Sequence, residues 1–94
     1  MGYSLEEFSR TLNGGFAAPQ SGFFVTNHHA GRWTVTIPAY QLAVEITATP
    51  AAYRQLGAMM LPVLEVILRF TPDDENGRRH FLDRFWRYFH KGGG

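Results

Sequence analysis

The feature that most constrains this chain is its longest apolar segment, which runs from residue 49 to residue 70. Thr49 can cap a helix N-terminus through its hydroxyl, and Pro50 suits the first helical position, where no backbone N–H is needed. Apolar residues then recur at helical spacing, namely Tyr53, Leu56, Met60, Val63, Ile67 and Phe70. This periodicity predicts one long helix over Thr49–Phe70, kinked at Pro62 on its polar side.

A second interpretation of this segment remains open. Apolar and polar residues also alternate over Val63–Phe70, as in a strand that follows a helix ending at Leu61. The strand would place Val63 and Ile67 on the polar face, so the helix is the favoured interpretation. Neither version spans a membrane, because a charge and a proline interrupt a run shorter than the ~20 apolar residues that a span requires.

The N-terminal residues predict a short helix. Ser4 and Glu7 form a capping-box pattern, in which each side chain accepts a hydrogen bond from the other residue's backbone N–H. Asn13–Gly14 tolerates a left-handed conformation and is expected to end this helix. A loop then extends to Gly22, with Phe16 tucked into the core.

Three strands are predicted next, over Phe23–Asn27, Arg32–Ile37 and Leu42–Thr49. Alternating apolar and polar residues in the second and third are typical of an antiparallel sheet with one buried and one wetted face. Short turns over His28–Gly31 and Pro38–Gln41 favour a three-stranded meander. The wetted face is a surface that can receive a partner, and it carries Thr26, Arg32, Thr34, Thr36, Glu45 and Thr47.

The C-terminal residues predict a further helix that starts near Gly77, because an earlier start would place Asp74 and Glu75 over its apolar stripe. The expected fold is a single α+β domain over residues 1–91, followed by a disordered glycine tail over residues 92–94. It comprises a short N-terminal helix, a three-stranded antiparallel meander and two C-terminal helices packed on one face of the sheet. The expected core is Phe8, Leu12, Phe23 or Phe24, Val25, Trp33, Val35, Ile37, Leu42, Val44, Ile46, Leu56, Met60, Val63, Leu64, Ile67, Phe81, Phe85 and Phe89.

The sequence contains no motif that predicts a reaction. It has no cysteine, and its four histidines lack the spacing of a metal site. The clustered carboxylates from Asp73 to Glu75 occupy a loop that leads into a helix. We therefore expect a protein that is not an enzyme and that uses no cofactor or metal. The N-terminus lacks a signal-peptide pattern, so a cytoplasmic location is expected.

Charge is distributed unevenly along the chain. Residues 1–77 carry four arginines against seven acidic residues, whereas residues 78–94 carry five basic residues against Asp83. The last helix therefore combines a basic face with a wide apolar arc. Its predicted partner-binding residues are Arg78, Arg79, Arg84, Trp86, Arg87, Tyr88 and Lys91.

Two functions fit this helix. The favoured one is a small non-catalytic protein-binding module, such as an adaptor, regulator or inhibitor, that self-associates or docks a protein partner. It is favoured because the apolar arc is wider than one small sheet needs. The alternative is nucleic-acid binding, in which basic side chains contact phosphates and aromatic rings stack on bases.

Overall fold

The computed structural model describes residues 1–29, 31–51, 53–61 and 63–89. The chain is an α+β protein, as the sequence predicts. Along these residues a short 3-10 turn, Pro38–Tyr40, joins the second and third strands. The other elements are α1 (Leu5–Phe16), β1 (Phe24–His29), β2 (Arg32–Ile37), β3 (Leu42–Pro50), β4 (Arg54–Leu56), β5 (Met59–Leu61), β6 (Leu64–Thr71) and α2 (Glu75–Tyr88).

The main sheet is antiparallel and holds β1, β2, β3 and β6 in that spatial order. It has one strand more than the predicted three-stranded meander, because β6 pairs with β3. Each strand lies beside its neighbour in register, with Thr34 opposite Glu45 and Glu45 opposite Arg69. β4 and β5 form a separate two-stranded hairpin between β3 and β6 in the chain.

One face of this sheet carries the core. The predicted alternation in β2 and β3 is confirmed, since every second residue is buried from Trp33 to Ile37 and from Leu42 to Ala48. Both helices contact this face through aromatic rings: Phe8 of α1 lies 5.3 Å from Trp33, and Phe81 of α2 lies 5.6 Å from Phe70, between ring centroids. The buried apolar residues are Tyr3, Phe8, Leu12, Phe16, Phe23, Trp33, Val35, Ile37, Leu42, Val44, Ile46, Ala48, Leu64, Phe81, Phe85 and Phe89.

Side chains cap both helices at their N-termini. The capping box of α1 is confirmed: Glu7 N donates to Ser4 Oγ at 3.1 Å, and Ser4 N donates to Glu7 Oε1 at 3.0 Å. α2 begins at Glu75, two residues earlier than predicted. Asp74 allows this start, because its carboxylate accepts a hydrogen bond from Gly77 N at 2.7 Å and so satisfies a free donor of the first turn.

The predicted end of α1 at Asn13–Gly14 is wrong, because the helix continues to Phe16. Phe16 is fully buried at this end. Gly15 brings α1 so close to α2 that an added β-carbon would lie 2.9 Å from the ring of Tyr88. Packing between the two helices therefore overrides the tendency of the glycine pair to end a helix.

The predicted turn at His28–Gly31 is also wrong in part, because β1 extends to His29, which lies opposite Arg32. His28 Nε2 and Thr34 Oγ1 lie 2.6 Å apart across the two strands. This cross-strand hydrogen bond, together with the pairing, keeps both histidines within the strand. The register shifts between Asn27 and His29, so the strand has a β-bulge at this point.

The largest correction concerns the central segment, because the predicted helix over Thr49–Phe70 does not form. The segment instead contains the end of β3, the β4–β5 hairpin and β6. The alternative of a strand over Val63–Phe70 is confirmed in kind, with observed bounds of Leu64–Thr71, but the helix that would precede it does not form. In β6, Leu64 is buried and alternate residues after it are half-buried, while Glu65, Ile67 and Arg69 are exposed.

Pro50 was expected to open a helix, and its position in β3 shows why it does not. Just beyond it, Ala51 N donates to Val63 O at 2.8 Å. Hydrogen-bonded and non-hydrogen-bonded pairs alternate along an antiparallel ladder, so Pro50 and Leu64 form a non-hydrogen-bonded pair. The missing N–H of proline is therefore not needed by the ladder.

Gly57 provides the turn that the helical interpretation overlooked. It has φ of +61° and stands first in a two-residue loop between Leu56 and Met59. A positive φ at this first position is the pattern of a type II′ hairpin turn. The predicted core residue Met60 is exposed as a result, as is Ile67 in β6.

Several predictions lie outside the described residues and side chains. They are the kink at Pro62, the burial of Leu56, the positions of His90 and Lys91, and the glycine tail over residues 92–94.

Candidate functional site

The arginines at the start of α2 already have acidic partners within the chain. Arg78 forms an ion pair with Asp73, and Arg79 lies 3.5 Å from Glu75. Both pairs are largely exposed to solvent and contribute little to stability. They nevertheless reduce the net positive charge that this end of α2 presents. Arg87, by contrast, is exposed and has no ion pair among the residues that the structure describes.

Arg84 is directed inward and joins the two helices. Its Nε donates to the backbone O of Gly15 in α1 at 2.6 Å. Its guanidinium lies over three rings, 5.8 Å from Phe16, 5.3 Å from Phe23 and 5.5 Å from Tyr88. Charge-assisted hydrogen bonds and cation–π contacts of this kind stabilise a fold. Arg84 was predicted to bind a partner, but its geometry supports helix packing.

Replacing Arg84 with glutamine is expected to lower the free energy of unfolding by about 2 kcal/mol, because one charged hydrogen bond and the ring contacts are lost together. Arg87→Gln is the matched control, since it removes the same charge from the same helix at an exposed position. It should change stability by less than about 0.5 kcal/mol. Urea denaturation of both variants measures the difference, and equal midpoints would contradict the inward role of Arg84.

The aromatic residues of the predicted site remain accessible. Trp86 is 54% exposed and meets Phe85 edge-on at 5.2 Å between centroids. Tyr88 is 39% exposed, since Gly15 and Arg84 cover part of its ring. The accessible groups of this helix are therefore its aromatic side chains and Arg87. Arg78, Arg79 and Arg84 already have contacts within the chain.

A second accessible apolar group lies on residues 53–61, here named the hairpin arm. Tyr53, Met59 and Met60 are each more than half exposed. The arm lies directly beyond the paired ends of β3 and β6, where Ala51 N donates to Val63 O at 2.8 Å. Its two strands pair only with each other among the described residues. Two-stranded segments are less stable in water than wider sheets, so a partner would stabilise the arm.

The outer face of the main sheet carries the polar residues that were predicted to lie there. A shallow cleft of about 330 Å³ on this face is lined by His28, Arg32, Trp33, Thr34, Glu45, Ile46 and Thr47. Phe24 at one edge strand and Ile67 at the other are exposed on the same face. His80, on α2, lies elsewhere, stacked between Phe23 at 5.3 Å and Tyr40 at 4.9 Å. Across the described residues, no group of three or more potential metal ligands comes together.

The hairpin arm is the part of the surface that sequence reasoning missed. Its signal is the glycine at position 57, because Gly57–Ala58 can form a two-residue hairpin loop with glycine at its first position. The helical spacing from Tyr53 to Met60 concealed it, since both patterns fit so short a segment.

Comparisons with protein-family models, with curated proteins and with solved structures gave no match to this chain. Neither of the helices in the described residues has the length and apolar character needed to cross a membrane.

Proposed function

We propose that the chain is a small, non-catalytic protein-binding module that docks a protein partner through the hairpin arm and also self-associates. The observation that carries this proposal is the exposure of Tyr53, Met59 and Met60 on a hairpin that no third strand joins among the described residues. Flexible methionine side chains adapt to varied apolar surfaces and are frequent at binding sites. Exposed apolar side chains that lie together support an interaction site more than scattered ones do.

The C-terminal helix supports the same function through its aromatic residues. Trp86 is large, amphipathic and half exposed, which are properties of residues that dominate binding energy at protein interfaces. The internal ion pairs of Arg78 and Arg79 and the inward contacts of Arg84 leave fewer basic groups for phosphates. These contacts favour a protein partner over a nucleic acid.

Met59→Thr/Met60→Thr is expected to weaken partner binding about tenfold or more, because it removes two exposed apolar anchors from the arm. Threonine suits an exposed strand position, so the arm retains its strand preference. The measurement is quantitative affinity capture from the native host, followed by titration of the purified partner. Capture of the same proteins in the same amounts by the wild-type protein and this variant would contradict the proposal.

Phe24→Thr is the matched control for this experiment. Phe24 is 63% exposed, similar to the two methionines, but it lies on β1 and outside the arm. The control should retain the partner at wild-type affinity. Circular dichroism should show the same folded signal for all three proteins, because each substitution is at the surface.

A further inference from the structure

The sheet has two edge strands, β1 and β6, and they differ in how they resist pairing with another chain. The bulge between Asn27 and His29 interrupts β1, and bulges are a known protection of sheet edges. β6 instead pairs with β3 in an unbroken register over eight residues and contains no proline. A long, regular, apolar edge strand of this kind accepts another strand.

The hydrogen bond from Ala51 N to Val63 O determines which backbone groups of β6 are directed toward the open edge. Odd-numbered residues of β6 exchange hydrogen bonds with β3, because bonded pairs recur at every second position. The N–H and C=O groups of Val66, Leu68 and Phe70 therefore point away from β3. No strand among the described residues pairs with them.

The open run has a boundary at each end. Leu64 also points to the edge, but it exchanges two hydrogen bonds with Met1, at 2.8 Å and 2.7 Å. Pro72, just beyond the other end of β6, has no N–H to donate. The run available to another strand is therefore Val66–Phe70, with its midpoint at Leu68.

An apolar strip follows the same edge. Val66, Leu68 and Phe70 lie on the inner face of β6 and pack against the core, but each is only half-buried. Leu82 of α2 is also half-buried, and Trp86, one turn further along the helix, is exposed.

The position of α2 brings Leu82 and Trp86 to this strip. At 100° per residue, these two lie on the side of α2 opposite Arg84 and Tyr88, the residues that contact α1. α2 reaches β6 through the contact of Phe81 with a ring of that strand. The side of α2 that is turned away from α1 therefore overhangs the open edge.

We propose that β6 pairs antiparallel with β6 of a second copy of this chain, around a two-fold axis at Leu68. Val66 then lies opposite the partner's Phe70, and about six backbone hydrogen bonds join the two four-stranded sheets into one. Both copies of α2 lie on the same side of the joined sheet, where Leu82 and Trp86 cover the apolar strip. This inference rests on the self-association in the proposed function and names its surface.

Charges on the outer face of β6 complement each other in this arrangement. Glu65 and Arg69 are exposed, and neither has an ion pair among the described residues. Around the two-fold axis each Glu65 lies diagonally opposite the partner's Arg69, within reach of two long side chains. The side chain directly opposite each Arg69 is the partner's Ile67, so no like charges face each other.

Reversing one charge tests this pairing without touching the core. In Glu65→Arg, and separately in Arg69→Glu, like charges meet at both diagonals, and dimerisation should weaken about tenfold in each. An equimolar mixture of the two variants brings opposite charges together at both diagonals. The mixture should therefore form a heterodimer at least as tight as the wild-type dimer. Sedimentation velocity over a range of concentrations measures all three.

Glu6→Arg, on α1 and away from β6, is the matched control, since it makes the same change of charge as Glu65→Arg. It should dimerise as the wild-type protein does, and circular dichroism should show that every variant is folded. The chain has no cysteine, so copies with Ile67→Cys can also be mixed with copies with Arg69→Cys. Oxidation should link the two, because these positions form a close non-hydrogen-bonded pair across the axis.

A wild-type protein that stays monomeric, or a mixture of charge variants that fails to associate, would overturn the pairing of β6. This failure is distinguishable from failure of partner docking. Loss of the dimer leaves capture through Met59 and Met60 intact, whereas loss of docking leaves the charge-dependent dimer intact.

Discussion

Replacing Phe85 with alanine is expected to lower the free energy of unfolding by about 4 kcal/mol. Phe85 is fully enclosed and stacks against Phe81 of α2 at 5.6 Å and against Phe89, just beyond the end of α2, at 4.4 Å between centroids. Its removal leaves a ring-sized cavity in the buried core. Small domains are stable by only about 5–15 kcal/mol, so this single change removes much of the total.

Trp86→Ala, at the adjacent position, is the matched control for this effect. The side chain removed is larger, but it is more than half exposed, so the expected loss is about 1 kcal/mol. Urea denaturation at low protein concentration measures both variants as monomers. Similar midpoints for the two variants would show that the aromatic stack of α2 is not the centre of the core.

Gly31→Ala is expected to have the second-largest effect, a loss of about 3 kcal/mol. Gly31 has φ of +82°, a conformation that an alanine adopts only with strain. The added β-carbon would also lie 2.5 Å from the carbonyl O of Ala48 in β3. That strand is held in place because Ala48 N donates to Gly31 O at 2.8 Å.

Gly22→Ala separates the two contributions, since Gly22 has a similar φ of +86° with no atom within 4 Å of an added β-carbon. Its free energy of unfolding should fall by about 1 kcal/mol, from backbone strain alone. Thermal and urea unfolding, followed by tryptophan fluorescence, measure the difference. An equal fall in the free energy of unfolding for both variants would show that the close approach of Gly31 to Ala48 is unimportant for stability.

The strands β2 and β3 could be predicted from the sequence because their burial depends on local alternation. Trp33, Val35 and Ile37 are buried and the residues between them are not, so pattern and structure coincide. The central segment could not be predicted in the same way. Met59 and Met60 are apolar and exposed, and an assignment that treats every apolar residue as core will fit a helix to them.

Contacts between residues remote in sequence decide which of the predicted site residues remain accessible. From the sequence alone, Arg84 is expected at the basic surface. Its acceptor, Gly15 of α1, lies 69 residues away, so the inward contact cannot be predicted locally. The aromatic residues were easier to judge, since Trp86 lies at the margin of the apolar arc and is exposed. The edge position of β6 could not be predicted, because it follows from strand pairing along the whole sheet.

The order of strands in the sheet also bears on the route by which the chain reaches its native state. β1, β2 and β3 pair in chain order, and β6 pairs with β3 across the inserted β4–β5 hairpin. All pairings in the sheet are therefore between segments close in sequence, and the entropic barrier to forming the sheet is low. The contacts of Met1 with Leu64 and of Arg84 with Gly15 close loops of 63 and 69 residues. We therefore expect the sheet to form early and the two helices to dock late, with their shared interface among the last parts of the fold to become ordered.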